Sequence, residues 1–276
     1  MYLFLMLIQL VDRKGFRWMA KLVIQAAYFL KKGWFVPASF NEELKLWEYR
    51  IGSSYFVTKT ASWFCSDEYY MNTLKKYSCF YYLPKTNEVV IDVGAGVGEE
   101  AIPLARCVGA NGKIFAIEAN PNTFKVLQKV IKENNFSSVL PLHLAIAEKN
   151  GEVLIEDDEA YGVANSLQGS GRSITVPSIT FDEFVKDQNL SRIDLLKVNI
   201  EGAEKFLIRG MKESISIVQN IAISCHDFRA SSGESDFFRT RDEVISYLGL
   251  YFDLKFQQSG DPVRDNYVYG VNRQLQ

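Results

Sequence analysis

The junction at residues 88–100 constrains the fold more than any other part of the chain. Val89, Val90, Ile91 and Val93 form a short apolar run that breaks off at Gly94, with Gly96 and Gly98 close behind. Such a run, bounded by glycine, suits a strand buried on both faces, the kind found in parallel sheets covered by helices. Glycines at its exit let a ligand approach the backbone at the start of the next helix. Residues 113–118 read as a second strand, and Asn120 and Pro121 as the N-cap and first position of a helix. Phe124, Leu127, Val130 and Ile131 give that helix an apolar face, and residues 139–147 read as a third strand. This alternation is half of a doubly wound sheet with right-handed crossovers.

The alternation loosens further on. Residues 152–156 and 173–178 read as short strands flanking a Gly/Ser/Asn-rich loop placed to cover a site. Thr180 with Glu183 makes a capping-box pattern before a helix, and residues 193–200 form another buried strand, turned by Glu201-Gly202. A helix from about Ala203 to Gly210, a strand at 220–225, and a helix capped by Thr240 with Glu243 and closed by Gly249 follow. Residues 251–257 and 266–272 read as an antiparallel hairpin at the sheet edge. The expected fold class is α/β: a Rossmann-like, doubly wound, mainly parallel seven-stranded sheet with an antiparallel last strand and an N-terminal helical extension. Residues 85–276 are expected to hold the cofactor-binding domain, and residues 1–84 the helical and aromatic extension.

The glycine spacing narrows the ligand. In the dinucleotide fingerprint GxGxxG a pyrophosphate rests on the helix N-terminus; here the third glycine comes one residue early and Glu99 stands in its place. A carboxylate there repels pyrophosphate. Asp92 and Glu99 instead suit a cationic ligand with a sulfonium and an ammonium, S-adenosylmethionine, whose amino-acid end Gly94, Gly96 and Gly98 would admit. Glu118 closes the second strand, where a carboxylate can accept both hydroxyls of an adenosine ribose. Ala145 and Ile146 would border adenine.

Two motifs resemble those of the FkbM-type methyltransferases, a branch of the class I S-adenosylmethionine-dependent enzymes. One is residues 89–100; the other, Lys197-Val198-Asn199-Ile200-Glu201-Gly202-Ala203-Glu204 with the apolar run before it, is similar to the family's "lKiDvEGaE" signature. Asn165-Ser166-Leu167 and residues 176–184 add to the likeness, which spans about residues 77–220. The resemblance implies methyl transfer, commonly to a hydroxyl of a sugar or another secondary metabolite, and cofactor contacts from Asn165 and Ser166 in the loop that also holds Tyr161. Asn199 stands where the family usually has Asp, so a general base or metal ligand falls to Glu201, Glu204 or His226. His226, at the end of the 220–225 strand beside Asp227, is the first choice of base, with a satisfied loop histidine as the alternative. Lys197 reads as a strand-end side chain reaching solvent, Glu204 equally as a first-turn acid of a helix, and His143 as structural. Dependence on a divalent metal stays open. Two other classes stay open as well: a noncatalytic binding module with a methyltransferase fold, and a nucleotide-dependent oxidoreductase, which Glu99 opposes.

Composition speaks to partners. A net charge of −2 without a Lys/Arg run gives nucleic acid little to bind, leaving a small-molecule or glycan acceptor. Four scattered cysteines, Cys65, Cys79, Cys107 and Cys225, suit reduced thiols and a cytoplasmic location. Residues 1–11 are apolar but too short to span a bilayer and lack a basic start or a cleavage site. Residues 16–30 read as a helix, and residues 13–32 hold six basic residues and no acidic one. The favoured reading is a helix capping its own domain or a second subunit in a homodimer; the competing one is peripheral contact with anionic membrane. Residues 41–82 show no period and no legible function.

Overall fold

The computed structural model describes residues 12–33, 35–62, 65–156 and 173–275. Tyr161, Asn165, Ser166 and the apolar run at 1–11 lie outside the described residues.

The N-terminal part comprises α1 (Arg17–Lys32), strands β1 (Ala38–Asn41), β2 (Leu46–Ile51) and β3 (Ser54–Thr58), and α2 (Asp67–Lys76). The three strands form an antiparallel sheet, with a two-residue turn between β2 and β3 at Gly52-Ser53 where Gly52 takes φ +62. Trp47, Tyr49, Tyr55, Phe56 and Val57 are all buried, although neighbours on a strand face opposite ways. A sheet covered on both faces shows no polar alternation, which is why this segment carries no legible period. Asn134 joins it to the rest: Tyr55 N donates to Asn134 Oδ1 (2.9 Å), and Asn134 Nδ2 donates to Tyr55 O and Val130 O (2.8 Å each).

The remainder runs β4 (Val89–Val93), α3 (Ala101–Val108), β5 (Lys113–Glu118), α4 (Pro121–Glu133), β6 (Val139–His143), β7 (Ala145–Ile146), β8 (Gly151–Glu156), β9 (Ser173–Ile179), α5 (Phe181–Asp187), β10 (Ile193–Val198), α6 (Glu204–Arg209), β11 (Val218–Ser224), α7 (Asp227–Ser231), α8 (Arg241–Leu248), β12 (Phe252–Lys255), α9 (Pro262–Asp265) and β13 (Tyr267–Asn272). A seven-stranded sheet takes the order β12-β13-β11-β10-β4-β5-β6. Its β11-β10-β4-β5-β6 portion is parallel, and β13 runs antiparallel to both neighbours. The Rossmann-like, doubly wound α/β fold is therefore present. From β4 the chain winds one way through β5 and β6, and from β10 the other way through β11, so the topological switch point lies between β4 and β10. Both faces are apolar: Ile91, Phe115 and Leu196 pack with Phe181, Phe184 and Leu207, while Val90, Ile114 and Leu195 pack with Leu104 and Leu127.

Three expectations change. The strand expected at 139–147 breaks after His143, because β5 ends at Glu118 opposite it and offers no further partner. Ala145 and Ile146 pair instead with β9 in a separate three-stranded sheet, β7-β9-β8. Thr180 caps α5 as expected, through Oγ1 and Glu183 N, but Thr240 does not cap α8. Asp227 Oδ2 accepts from Thr240 N and Arg241 N (3.1 Å each), freeing the Thr240 hydroxyl for other work. In the C-terminal hairpin only β12 is at the edge; β13 is interior. Among the described residues no helix is long and apolar enough to cross a membrane, and the four cysteines are free thiols.

Candidate active site

A cavity of about 740 Å³ opens at the C-terminal ends of β4, β5 and β10, within the roughly 300–1,000 Å³ of small-molecule sites. The β4–α3 turn forms its floor, and its three glycines do three different things. Gly94 has φ +78, and a Cβ there would stand 1.9 Å from Asn199 O, so this glycine lets the ends of β4 and β10 meet. Gly98 lies away from the cavity, where a Cβ would press on Leu127 and Val130 at 3.1–3.2 Å; its role is packing against α4. Gly96 has φ +57, lines the cavity and has nothing within 4 Å of where a Cβ would sit, so a ligand can approach the backbone there.

Gly96 N donates to Glu118 Oε2 (3.0 Å) and Asn120 N to Glu118 Oε1 (2.8 Å). These two bonds fix the carboxylate on the cavity wall and use about half of its roughly four lone-pair sites. Burial nonetheless pushes the Glu118 carboxyl above its ordinary value. Glu99 lines the cavity and is exposed to water. Crowding by protein atoms, then the charge of Glu100, pushes its carboxyl up to about 7. Ala145 and Ile146 line the cavity together with Val153 and Ile155, giving one wall an apolar surface.

Asp92 is not on the cavity. It is fully buried beneath the turn, where Lys197 Nζ meets Asp92 Oδ1 at 2.8 Å and Glu100 Oε2 at 2.9 Å and donates to Gly94 O at 3.1 Å. Asp92 therefore acts on the turn through Lys197 and does not orient a ligand directly. Lys197, expected to reach solvent, is buried; burial works against its ammonium, but the charges of Asp92 and Glu100 outweigh that and hold it protonated.

The expected base is displaced in a similar way. His226 is buried behind the cavity wall, with Nδ1 donating to Glu204 Oε1 (2.9 Å) and Nε2 facing Glu201 Oε1 (3.3 Å). Burial disfavours the charged ring, but the hydrogen bonds and charges of Glu201 and Glu204 prevail and push His226 up to about 10. His226 is held between Glu201 and Glu204 and does not line the cavity, so it meets the site through Glu201. Glu204 is fully buried. It accepts from Gly202 N (3.1 Å) and Thr240 Oγ1 (3.0 Å) besides His226, whose charge holds its carboxyl low against burial. Glu201 is the member of this group that lines the cavity. Its Oε2 accepts from Arg229 at 2.6 Å, and its backbone sits at φ +52, a conformation uncommon for a non-glycine residue. Gly202 next to it has no room for a Cβ, which would meet Phe237 at 2.7 Å. The Glu201-Gly202 turn is thus over-determined by its surroundings, which fixes where the carboxylate points.

Asn199 lines the cavity between Gly94 and Glu201. Its N donates to Val93 O (2.9 Å), while its buried Oδ1 has no hydrogen-bond partner among the described residues. The same holds for Asn120 Nδ2 and Thr123 Oγ1, whose residues also line the cavity. His143 lies outside this group, stacked on Phe124 with Nε2 donating to Ala119 O (3.0 Å). Glu100 was given no role by the sequence, and neither was the N-terminal wall: Leu46, Thr58, Lys59, Thr60, Tyr69 and Tyr70 all line the cavity. Only the strand periodicity of Lys197 hinted at its burial. Among the described residues no group of three or more His, Cys, Asp or Glu side chains is arranged to hold a metal ion.

The methyltransferase FkbM domain profile matches residues 92–253. The hexuronic acid methyltransferase AglP of Haloferax volcanii is 25% identical over 141 residues, covering 51% of this chain and 56% of that protein. Methyltransferase 1 of Beauveria bassiana is 24% identical over 162 residues, covering 50% of this chain and 64% of the other. A crystal structure of methyltransferase FkbM from Methylobacillus flagellatus superposes with a TM-score of 0.48 at 18% identity, covering 75% of this chain and 50% of that one. The chain thus spans less than two thirds of the length of each of these relatives.

Proposed function

The chain belongs to the FkbM methyltransferase family, and we propose that it moves a methyl group from S-adenosylmethionine to a hydroxyl oxygen of a small-molecule or glycan acceptor. The observation that carries this reading is the Glu118 carboxylate, fixed at the end of β5 on the cavity by Gly96 N and Asn120 N with lone-pair sites left over for a polar ligand. Glu118 keeps lone pairs for two ribose hydroxyls, Gly96 leaves room for the chain of the ligand, and Ala145 and Ile146 offer adenine a flat apolar surface. Glu99, which lines the cavity, favours positive charge there.

Bound S-adenosylmethionine supplies an electrophilic methyl group with a neutral thioether leaving group. Glu201 takes the hydroxyl proton of the acceptor, a role worth roughly 10²–10⁴-fold. His226 and Arg229 hold its two carboxylate oxygens in place, which makes them positioning residues. The acceptor class to test first is a hydroxylated sugar acid, since AglP is named for a hexuronic acid and Lys59 stands on the cavity wall as a cation.

Calorimetry with S-adenosylmethionine, S-adenosylhomocysteine and NAD tests the cofactor. The first two are expected to bind, and Glu118→Ala to weaken them about tenfold or more, from a loss of about 1.5–3 kcal/mol per charged hydrogen bond. Labelled methyl donor with a panel of uronic acids and neutral sugars tests the transfer. Glu201→Gln is expected to leave cofactor affinity nearly unchanged and lower turnover about a hundredfold. Preference for NAD, or full turnover by Glu201→Gln, overturns the reading.

A further inference from the structure

The helix α1 has two apolar faces, and the fold accounts for one. Ala20, Ile24, Ala27 and Tyr28 are buried against the N-terminal sheet, with Tyr28 OH donating to Cys65 O (2.7 Å). On the other side Trp18, Leu22 and Phe29 are 62%, 55% and 47% exposed, and their spacing lines them up along one stripe of the helix. Phe16, Leu30 and Phe35 are exposed as well, and the Phe35 ring stacks on Phe29 with centroids 4.9 Å apart. Grouped aromatic and aliphatic exposure of this kind marks an interaction surface, where scattered apolar residues would not.

The charges around it identify the partner. Arg13, Lys14, Lys21, Lys31 and Lys32 are exposed, and no acidic residue occurs between positions 13 and 32. Arg17, the remaining cation, is held by Glu42 (2.7 Å to each carboxylate oxygen) and lies over Phe40. A second copy seated on this face would bring two basic rows together with no acidic row to meet them. An anionic bilayer surface answers both features, taking the apolar stripe into the headgroup–acyl boundary and the lysines onto phosphates.

We propose that α1 docks the protein on anionic lipid, with Trp18, Leu22 and Phe29 inserted and Lys21 and Lys32 on the headgroups. The buried face of the helix stays in the core, so docking requires no unfolding. The test is co-sedimentation of the full chain with phosphatidylcholine vesicles, with and without phosphatidylglycerol, at low and high salt. Association is expected on the anionic vesicles and is expected to weaken with salt. Trp18→Asp with Phe29→Asp should lower the partition coefficient on the order of a hundredfold. Lys21→Glu with Lys32→Glu should lower it about tenfold or more on anionic vesicles alone. All four side chains are exposed, and an unchanged thermal midpoint would verify that the variants fold. Absence of vesicle binding, or binding indifferent to all four substitutions, overturns the proposal. So does a concentration-dependent dimer that Trp18→Asp with Phe29→Asp dissolves, since the face then belongs to a second copy, or binding seen only after removal of residues 1–11, since that segment then covers it.

Discussion

At neutral pH Glu99 is about half ionised, since its carboxyl is pushed up to about 7. A cation in the cavity favours the charged form, so affinity for S-adenosylmethionine is expected to fall as pH drops from about 8 to about 6, and Glu99→Gln should flatten that dependence in a calorimetric series. His226 titrates in the opposite sense. Its folded value of about 10 lies above the ordinary value near 6.5, so the stability it contributes is complete below about 6.5 and is lost as pH rises through about 10. Urea unfolding across that range should show falling stability in the parent protein and a shallower decline in His226→Gln. Gly96, Glu118 and Glu201 were legible as cavity residues because each sits at a strand end whose position follows from the strand itself. Asp92, Lys197 and His226 were assigned the wrong surroundings because their partners come from other strands, helix starts and turns, and a sequence shows which residues are near in the chain, not which carboxylate closes on which cation.

Among the elements, α4 links the two sheets. Asn134, just past its end, makes three hydrogen bonds to the backbone of β3 and α4, all of them buried. Asn134→Ala leaves Tyr55 N and O without the partners that Asn134 supplies and is expected to cost about 2–6 kcal/mol in chemical denaturation, at about 1–3 kcal/mol for each stranded group. An unchanged midpoint would show that β3 is held by its apolar contacts alone. β4 and β5 were legible to the residue and β10 and β11 to within two, since burial on both faces gives short unbroken apolar runs with glycine or a helix cap at the end. The same double burial hid β1, β2 and β3, because there the aromatic residues run without such punctuation. The break between β6 and β7 was hidden for another reason: it depends on where β5 stops.

For the whole molecule, α1 and the N-terminal sheet are part of the core. Ile24 and Tyr28 pack with Trp47, Phe56 and, through α4, Val126 and Val130. Deleting residues 1–36 is expected to lower stability by on the order of 4 kcal/mol, from about 1.5–3 kcal/mol for each large buried side chain lost. A thermal midpoint equal to that of the full chain would mean that the helix packs without contributing. The cavity inherits the same layout, since the N-terminal sheet and the β4–α3 turn face each other across it. Its wall also includes Tyr267, the first residue of β13, which the antiparallel direction of that strand brings beside Ser224 at the cavity end of the sheet. A chain leaving the ribosome therefore carries its glycine turn, Glu118 and Glu201 long before it carries the last side of the pocket they share. The pocket cannot complete its wall until the chain through β13 has been made, so its last side forms after the residues that carry its chemistry.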